Sequence, residues 1–187
     1  MKTSAVTVRG LTFSAMFAAL LVVLSFVTIY TGFSPVPITL QNFAVMLAGA
    51  VLGARYGLIS VGTVVVLTAL GFPLLHGAGG PGLIFGPTGG FIWAYPLAAF
   101  FIGYFVNRIK GHGIFSFLLL FIVMLAFGSL LLYVPGVPWL AYSAKISLGK
   151  AMVLGCYPYL PGDAIKALAA ALIVLPVRKL FPASRLM

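Results

Sequence analysis

Acidic side chains are almost missing from this sequence: in 187 residues Asp163 is the single carboxylate, set against eleven Lys and Arg for a formal net charge of +10. That scarcity removes whole classes of chemistry. A glycosidase flanks its bond with two carboxylates, an oxygen-ligand calcium or magnesium cage needs several, and an intramembrane protease built on paired aspartates needs both. Cysteine is just as scarce. Cys156 stands alone, which excludes an internal disulfide. With only His76 and His112 beside it, a metal site has too few ligands. Charged residues make up 6% of the chain and apolar ones 63%, so no separate water-soluble domain fits. The composition is that of an all-α integral membrane protein.

Apolar runs at 11–30, 40–52, 56–71, 88–106, 114–133 and 163–180 give six expected transmembrane helices in one membrane domain. The first, preceded by Lys2 and Arg9, superficially resembles a secretory signal. It is too long for a signal's apolar core and the remaining chain is equally apolar, so it reads as a retained span. The second and third runs, separated only by Gly53, Ala54 and Arg55, are expected to form a tight antiparallel hairpin. Longer connections at 31–39, 72–87 and 134–162 alternate with short basic ones, and the last is expected to contain a short helix around 146–154. Lys2, Arg9, Arg55, Arg108, Lys110, Arg178, Lys179 and Arg185 then fall on one face, against Lys145 and Lys150 on the other. By the positive-inside rule both termini are cytoplasmic and the long connections face outward. The basic excess is therefore a topology signal, not a nucleic-acid surface.

The outward connections are rich in proline and glycine yet apolar, as in Pro35-Val36-Pro37-Ile38, Gly79-Gly80-Pro81-Gly82 and Gly86-Pro87-Thr88-Gly89-Gly90. Solvated loops are seldom so apolar, and disordered segments are not. Such segments can fold over a bundle mouth and bring bare backbone N–H and C=O groups to a ligand. The glycines of 77–90 do not make a phosphate-binding loop, because no Gly-Lys-Ser/Thr ending follows and no second acid could hold magnesium.

Asp163 and Lys166 lie three residues apart at the expected start of the last helix, so both project from one face of its first turn. Asp163 could serve simply as a helix cap. Lys166 is harder to explain, since a cation in a first turn faces the positive end of the helix dipole and calls for an anion. Thr88, Phe91, Ile92 and Tyr95 recur at helical spacing and could line a pocket, with Gly89 beside them. Thr39, Gln41 and Asn42 give the second helix a polar end. His76 and His112 fall on opposite sides and read as loop polarity and interface contacts, so a serine–histidine hydrolase has no geometry here and no enzymatic activity is expected.

With these residues in view, the chain resembles the BioY family, the biotin-binding S-components of energy-coupling factor (ECF) transporters. The carriers are Pro35-Val36-Pro37-Ile38-Thr39-Leu40-Gln41, Gly86-Pro87-Thr88-Gly89-Gly90-Phe91 and Pro158-Tyr159-Leu160-Pro161-Gly162-Asp163-Ala164-Ile165-Lys166. The resemblance implies a six-helix S-component fold in a prokaryotic plasma membrane, biotin captured from outside, and no cofactor. It implies Asp163 at a ureido N–H and Lys166 at the ureido carbonyl or the tail carboxylate. Thr39, Gln41, Thr88, Gly89, Phe91 and Tyr95 are the further binding candidates.

Ala15 and Ala19 resemble the Ala-x-x-x-Ala pattern by which S-components meet their coupling subunit, small residues four apart permitting close helix approach. Internal packing would use the same spacing. The implied partners are a transmembrane T-component and two ABC-type ATPases, with self-association as an alternative in their absence. Two competing readings stay open: an autonomous secondary carrier or channel for a small solute, and an S-component for a different vitamin. Against the carrier stand the lack of an inverted repeat and of any carboxylate beyond Asp163.

Overall fold

In a computed structural model, residues 7–111 and 113–180 are described, with side chains as far as 178. Lys2, Arg185 and His112, and the side chain of Lys179, lie outside that set. The chain is almost wholly helical. Helix α1 (Val8–Ser25) starts where the Thr7 side chain accepts from Gly10 N at 3.1 Å. It ends five residues short of the expected 30, which corrects the 11–30 span. The hydroxyl of Ser25 turns back to Val22 O at 2.6 Å, and the β-branched residues after it pair instead: β1 (Thr28–Ile29) runs antiparallel to β2 (Ile38–Thr39).

Helix α2 (Gln41–Ala69) contains one non-helical residue, Gly53, at φ 79° and ψ 177°. The chain reverses there. A Cβ on Gly57 would lie 3.0 Å from Gly49 Cα, whereas eight residues of straight helix span about 12 Å. A short helix α3 (Pro81–Ile84) leads to α4 (Gly89–Val106), which packs against both halves of α2. Glycines let the backbones meet. A Cβ on Gly49 would come 2.5 Å from Ala99 O, and one on Gly103 would come 2.3 Å from Ala54 N. In a bundle whose surroundings are as apolar as its core, such close approach replaces the hydrophobic effect as the force between helices.

Helix α5 (Ile114–Leu125) passes through a π-helical turn at Ala126–Leu130 into α6 (Leu131–Ser143). The expected connection 134–162 is thus corrected, because its first ten residues are helical despite Pro135 and Pro138. Membrane helices tolerate proline where neighbouring elements and local rewinding satisfy the freed carbonyls. Helix α7 (Leu148–Gly155) is capped by the Ser147 side chain, which accepts from Lys150 N. A single 3₁₀ turn (Tyr157–Tyr159) then leads to α8 (Leu160–Leu180), so Pro161 and Gly162 belong to the helix and not to the loop before it. Proline fits there because the first turn has no intrahelical acceptor for its N–H.

Among the described residues five helical stretches are long and apolar enough to cross a membrane: Val8–Ser25, Gln41–Ala69, Gly89–Val106, Ile114–Ser143 and Leu148–Arg178. Val23, Val66, Leu97, Ile122 and Leu172 stand exposed on their perimeter, as lipid contact requires.

The α2–α4 seam generates a test. Gly103→Ala drives a methyl into backbone that cannot yield, an overpacking worth about 1–3 kcal/mol, and is expected to lower the melting temperature in detergent. Gly62→Ala, with nothing within 4 Å of the new atom, is expected to be neutral or to stabilise by up to about 1 kcal/mol. Equal melting of the Gly103 variant and the parent protein would show that the seam is not close-packed.

Candidate ligand-binding cavity

Three helices begin at one end of the bundle, and the cavity lies among their first turns. Thr39, Gln41 and Asn42 reach it from the start of α2, Thr88, Phe91, Ile92 and Tyr95 from α4, and Asp163 and Lys166 from α8. Val36, Leu132 and Tyr159 close it, so apolar walls surround a few convergent polar groups, as in a site for a small organic ligand. Neither Leu40 before α2 nor Thr88 before α4 caps its helix through a side-chain hydrogen bond. Gln41 N instead donates to Thr39 Oγ1 at 3.3 Å and Gly89 N to Gly86 O at 3.0 Å, and the helix dipoles add positive potential at this end.

One polar group in the wall is a quartet. Asp163, only 5% exposed, accepts at Oδ1 from Asn42 Nδ2 (2.9 Å) and Lys166 Nζ (3.0 Å), and at Oδ2 from the Tyr133 hydroxyl (2.5 Å). Lys166 Nζ also donates to Asn42 Oδ1 at 2.9 Å. The carboxylate and ammonium cancel in charge, which makes their burial tolerable. Bonding is not exhausted. A carboxylate has about four acceptor positions and an ammonium three donors, so one acceptor on Asp163 and one donor on Lys166 remain for a ligand.

A second polar chain starts from the neighbouring residue of α2, whose side chain points roughly 100° away from that of Asn42. Tyr95 OH donates to Gln41 Oε1 at 2.8 Å, and the Gln41 amide meets His76 Nδ1 at 3.0 Å. Since Oε1 is occupied by the phenol, the amide donates through Nε2. The neutral imidazole then accepts at Nδ1 and carries its proton on Nε2. Burial pushes the His76 imidazole below its ordinary range, which favours that neutral form. Its place in the cavity wall corrects the reading of His76 as loop polarity.

Cross-ties hold the connections over the cavity. Tyr159 OH donates to Val36 O, and Ser34 Oγ donates to Leu154 O at 2.7 Å, linking the 31–39 segment to the end of α7. Trp93 Nε1 donates to Ile84 O at 3.0 Å and Trp139 Nε1 to Gly86 O at 2.9 Å, with the two indoles 4.3 Å apart. Trp93 thereby pins a connection and does not line the cavity.

Seven of the eight expected binding residues share this cavity: Asp163, Lys166, Thr39, Gln41, Thr88, Phe91 and Tyr95. Gly89 does not line it. A Cβ there would lie 2.0 Å from Ile84 O, so its absence lets the start of α4 tuck beneath α3. Asn42, Tyr133, Tyr159 and His76 join the cavity without having been chosen from the sequence as binding residues. Asn42 stood beside Gln41 in the sequence reading and Tyr159 within the 158–166 motif; Tyr133 carried no pattern to mark it. Ala15 and Ala19 lie elsewhere, both exposed on α1, so they do not serve internal packing.

Comparison with known proteins agrees with this architecture. The BioY family model matches residues 1–183. The biotin transporter BioY of Rhizobium etli is 41% identical over 170 residues, covering 88% of this chain and 90% of its own length. The biotin transporter BioY of Lactococcus lactis is 37% identical over 174 residues, with 92% of both chains covered. A crystal structure of the S-component for biotin from an ECF-type ABC transporter matches with a TM-score of 0.85 at 37% identity, again over 92% of each chain. A family match along nearly the whole chain, together with relatives at this identity and coverage, establishes that the chain belongs to the BioY family.

Proposed function

We propose that this chain is the substrate-capturing S-component of an ATP-driven ECF transporter, and that it binds biotin in the cavity between the first turns of α2, α4 and α8. The observation that carries the reading is the neutral quartet, with one acceptor position left on Asp163 and one donor on Lys166. A ureido edge presents the complement, an N–H beside a C=O. Asp163 accepts the N–H and Lys166 donates to the carbonyl, while Asn42 and Tyr133 hold the carboxylate in place. Phe91, Ile92 and Leu132 supply apolar wall for the thioether ring. The names of the Rhizobium and Lactococcus relatives support biotin as the solute.

Counting the two halves of α2 separately gives six crossings of a prokaryotic plasma membrane, with both termini in the cytoplasm and the cavity open outward. Energy comes from a T-component and two ATPases. Ala15 and Ala19, exposed on α1 and four residues apart, offer the flat face on which a T-component helix can lie.

Calorimetric titration of the purified protein with biotin, using thiamine and riboflavin as controls, is expected to show tight binding of biotin alone. Asp163→Asn and Lys166→Ala are each expected to weaken it at least about tenfold, or 1.4 kcal/mol. Parental affinity in either variant would remove that residue from the contact. Ala15→Leu is expected to leave biotin binding by the isolated chain unchanged and to reduce co-purification of the T-component. Undiminished co-purification would place the coupling surface elsewhere.

A further inference from the structure

His76 occupies a backbone conformation, φ 44°, that is uncommon for a non-glycine residue. Leu75 and Ala78 pair across a two-residue turn (Leu75 N to Ala78 O at 3.3 Å, Ala78 N to Leu75 O at 2.9 Å), and the two residues between them, His76 and Gly77, both have positive φ, 44° and 76°. Glycine, asparagine or aspartate usually fill such a turn. The His76 N–H is tied to Ser25 Oγ at 2.9 Å, so the strained residue is also anchored to the end of α1. Strain held in this way at the wall of a cavity points to a role for the side chain.

Charge narrows that role. Within the cavity Lys166 is committed to Asp163, and the quartet around them is neutral. The remaining titratable groups there are the phenols of Tyr95, Tyr133 and Tyr159 and the His76 imidazole. The residues of α1 and α2 that hydrogen-bond His76, Ser25 and Gln41, are uncharged. Among the described residues, His76 is therefore the one group in the wall that can become an uncommitted cation. Its Nε2 has no hydrogen-bond partner among the described residues.

Resting on the reading of this cavity as a biotin site, we propose that His76 is the proton-regulated receptor for the ligand's carboxylate tail, taking up a proton as the anion docks. Docking of a charge beside a buried neutral imidazole favours its protonated form. Protonation turns Nδ1 from acceptor into donor, so the Gln41 amide rotates: Oε1 accepts from Nδ1–H, and Nε2 donates to the Tyr95 oxygen. The Nε2–H of the imidazolium and the released Tyr95 O–H then both face the carboxylate. The proton comes from solvent and stays on His76, and no bond of the ligand breaks. Binding is thus linked to proton uptake in the window between the lowered value of the empty site and the raised value of the occupied one, and affinity for a carboxylate ligand increases as pH falls through it.

The test is titration of the full-length protein in detergent with biotin and with biotin methyl ester, at about pH 7.5 and about pH 5.5, a range in which a simple carboxylic acid with pKa about 4.3 stays ionised. Biotin is expected to bind on the order of fivefold more tightly at the lower pH, the ester is not, and His76→Asn is expected to abolish the difference. Asparagine tolerates positive φ, so the variant keeps the turn. Titration of the parent protein in buffers of different ionisation enthalpy supplies an independent readout, and net proton uptake is expected with biotin alone. Biotin affinity independent of pH, equal tightening of the ester, equal tightening in His76→Asn, or no proton uptake would each overturn the assignment of His76. Failure of the parent protein to bind biotin at either pH would instead overturn the ligand reading itself.

Discussion

The carboxylate of Asp163 is the point on which the rest of the site depends. It is buried at the mouth of a bundle with no other acid. An unpaired charge there would cost several kcal/mol, so its surroundings must supply donors. They come from three separate helices: Asn42 from α2, Tyr133 from α6 and Lys166 from α8 itself. The carboxylate therefore acts as a knot. The bonds that make its burial tolerable also fix the relative positions of the helices around the cavity.

The closely packed glycines serve the same end by another route. Gly49, Gly103 and Gly57 remove side chains where α2 folds on itself and meets α4, while Gly90 and Gly136 do so between α4 and α6. Close backbone approach at Gly49, Gly57 and Gly103 leaves the widening for the end where the connections lie, and Gly90 and Gly136 bring α4 and α6 together beside it. There the cross-ties through Tyr159, Ser34, Trp93 and Trp139 fix the segments that cover the cavity. Rigidity below and hydrogen-bonded closure above are compatible with a site that admits a solute from one side only.

How much of this could be read from residues alone depended on whether a signal was local. Apolar runs long enough to cross a bilayer announce helices directly, because the backbone has no other partner in hydrocarbon. Asp163 and Lys166 were legible because ionisable residues in such runs are costly. Thr39, Gln41, Thr88 and Phe91 were legible as polar or aromatic positions beside expected helix starts. Tyr133 was not, because its importance lies in a partner 30 residues away in sequence. His76 was misjudged for a related reason: its partner Gln41, itself held by Tyr95, meets it only through the fold. The boundary errors were chemical. The connection expected over 134–162 holds prolines at 135, 138 and 161, yet two of these residues lie inside a membrane helix and the third in a first turn, where the missing N–H is tolerated.

The chain contains just two tryptophans, and both indoles grip the same short stretch of backbone at Ile84 and Gly86, their ring centres 4.3 Å apart and their planes tilted by 58°. Their indole N–H groups consequently both depend on that stretch. If it lifts, each ring loses its carbonyl and the pair loses its packing together. The protein thus carries an intrinsic optical gauge of its own entrance, free of background from tryptophans elsewhere in the molecule.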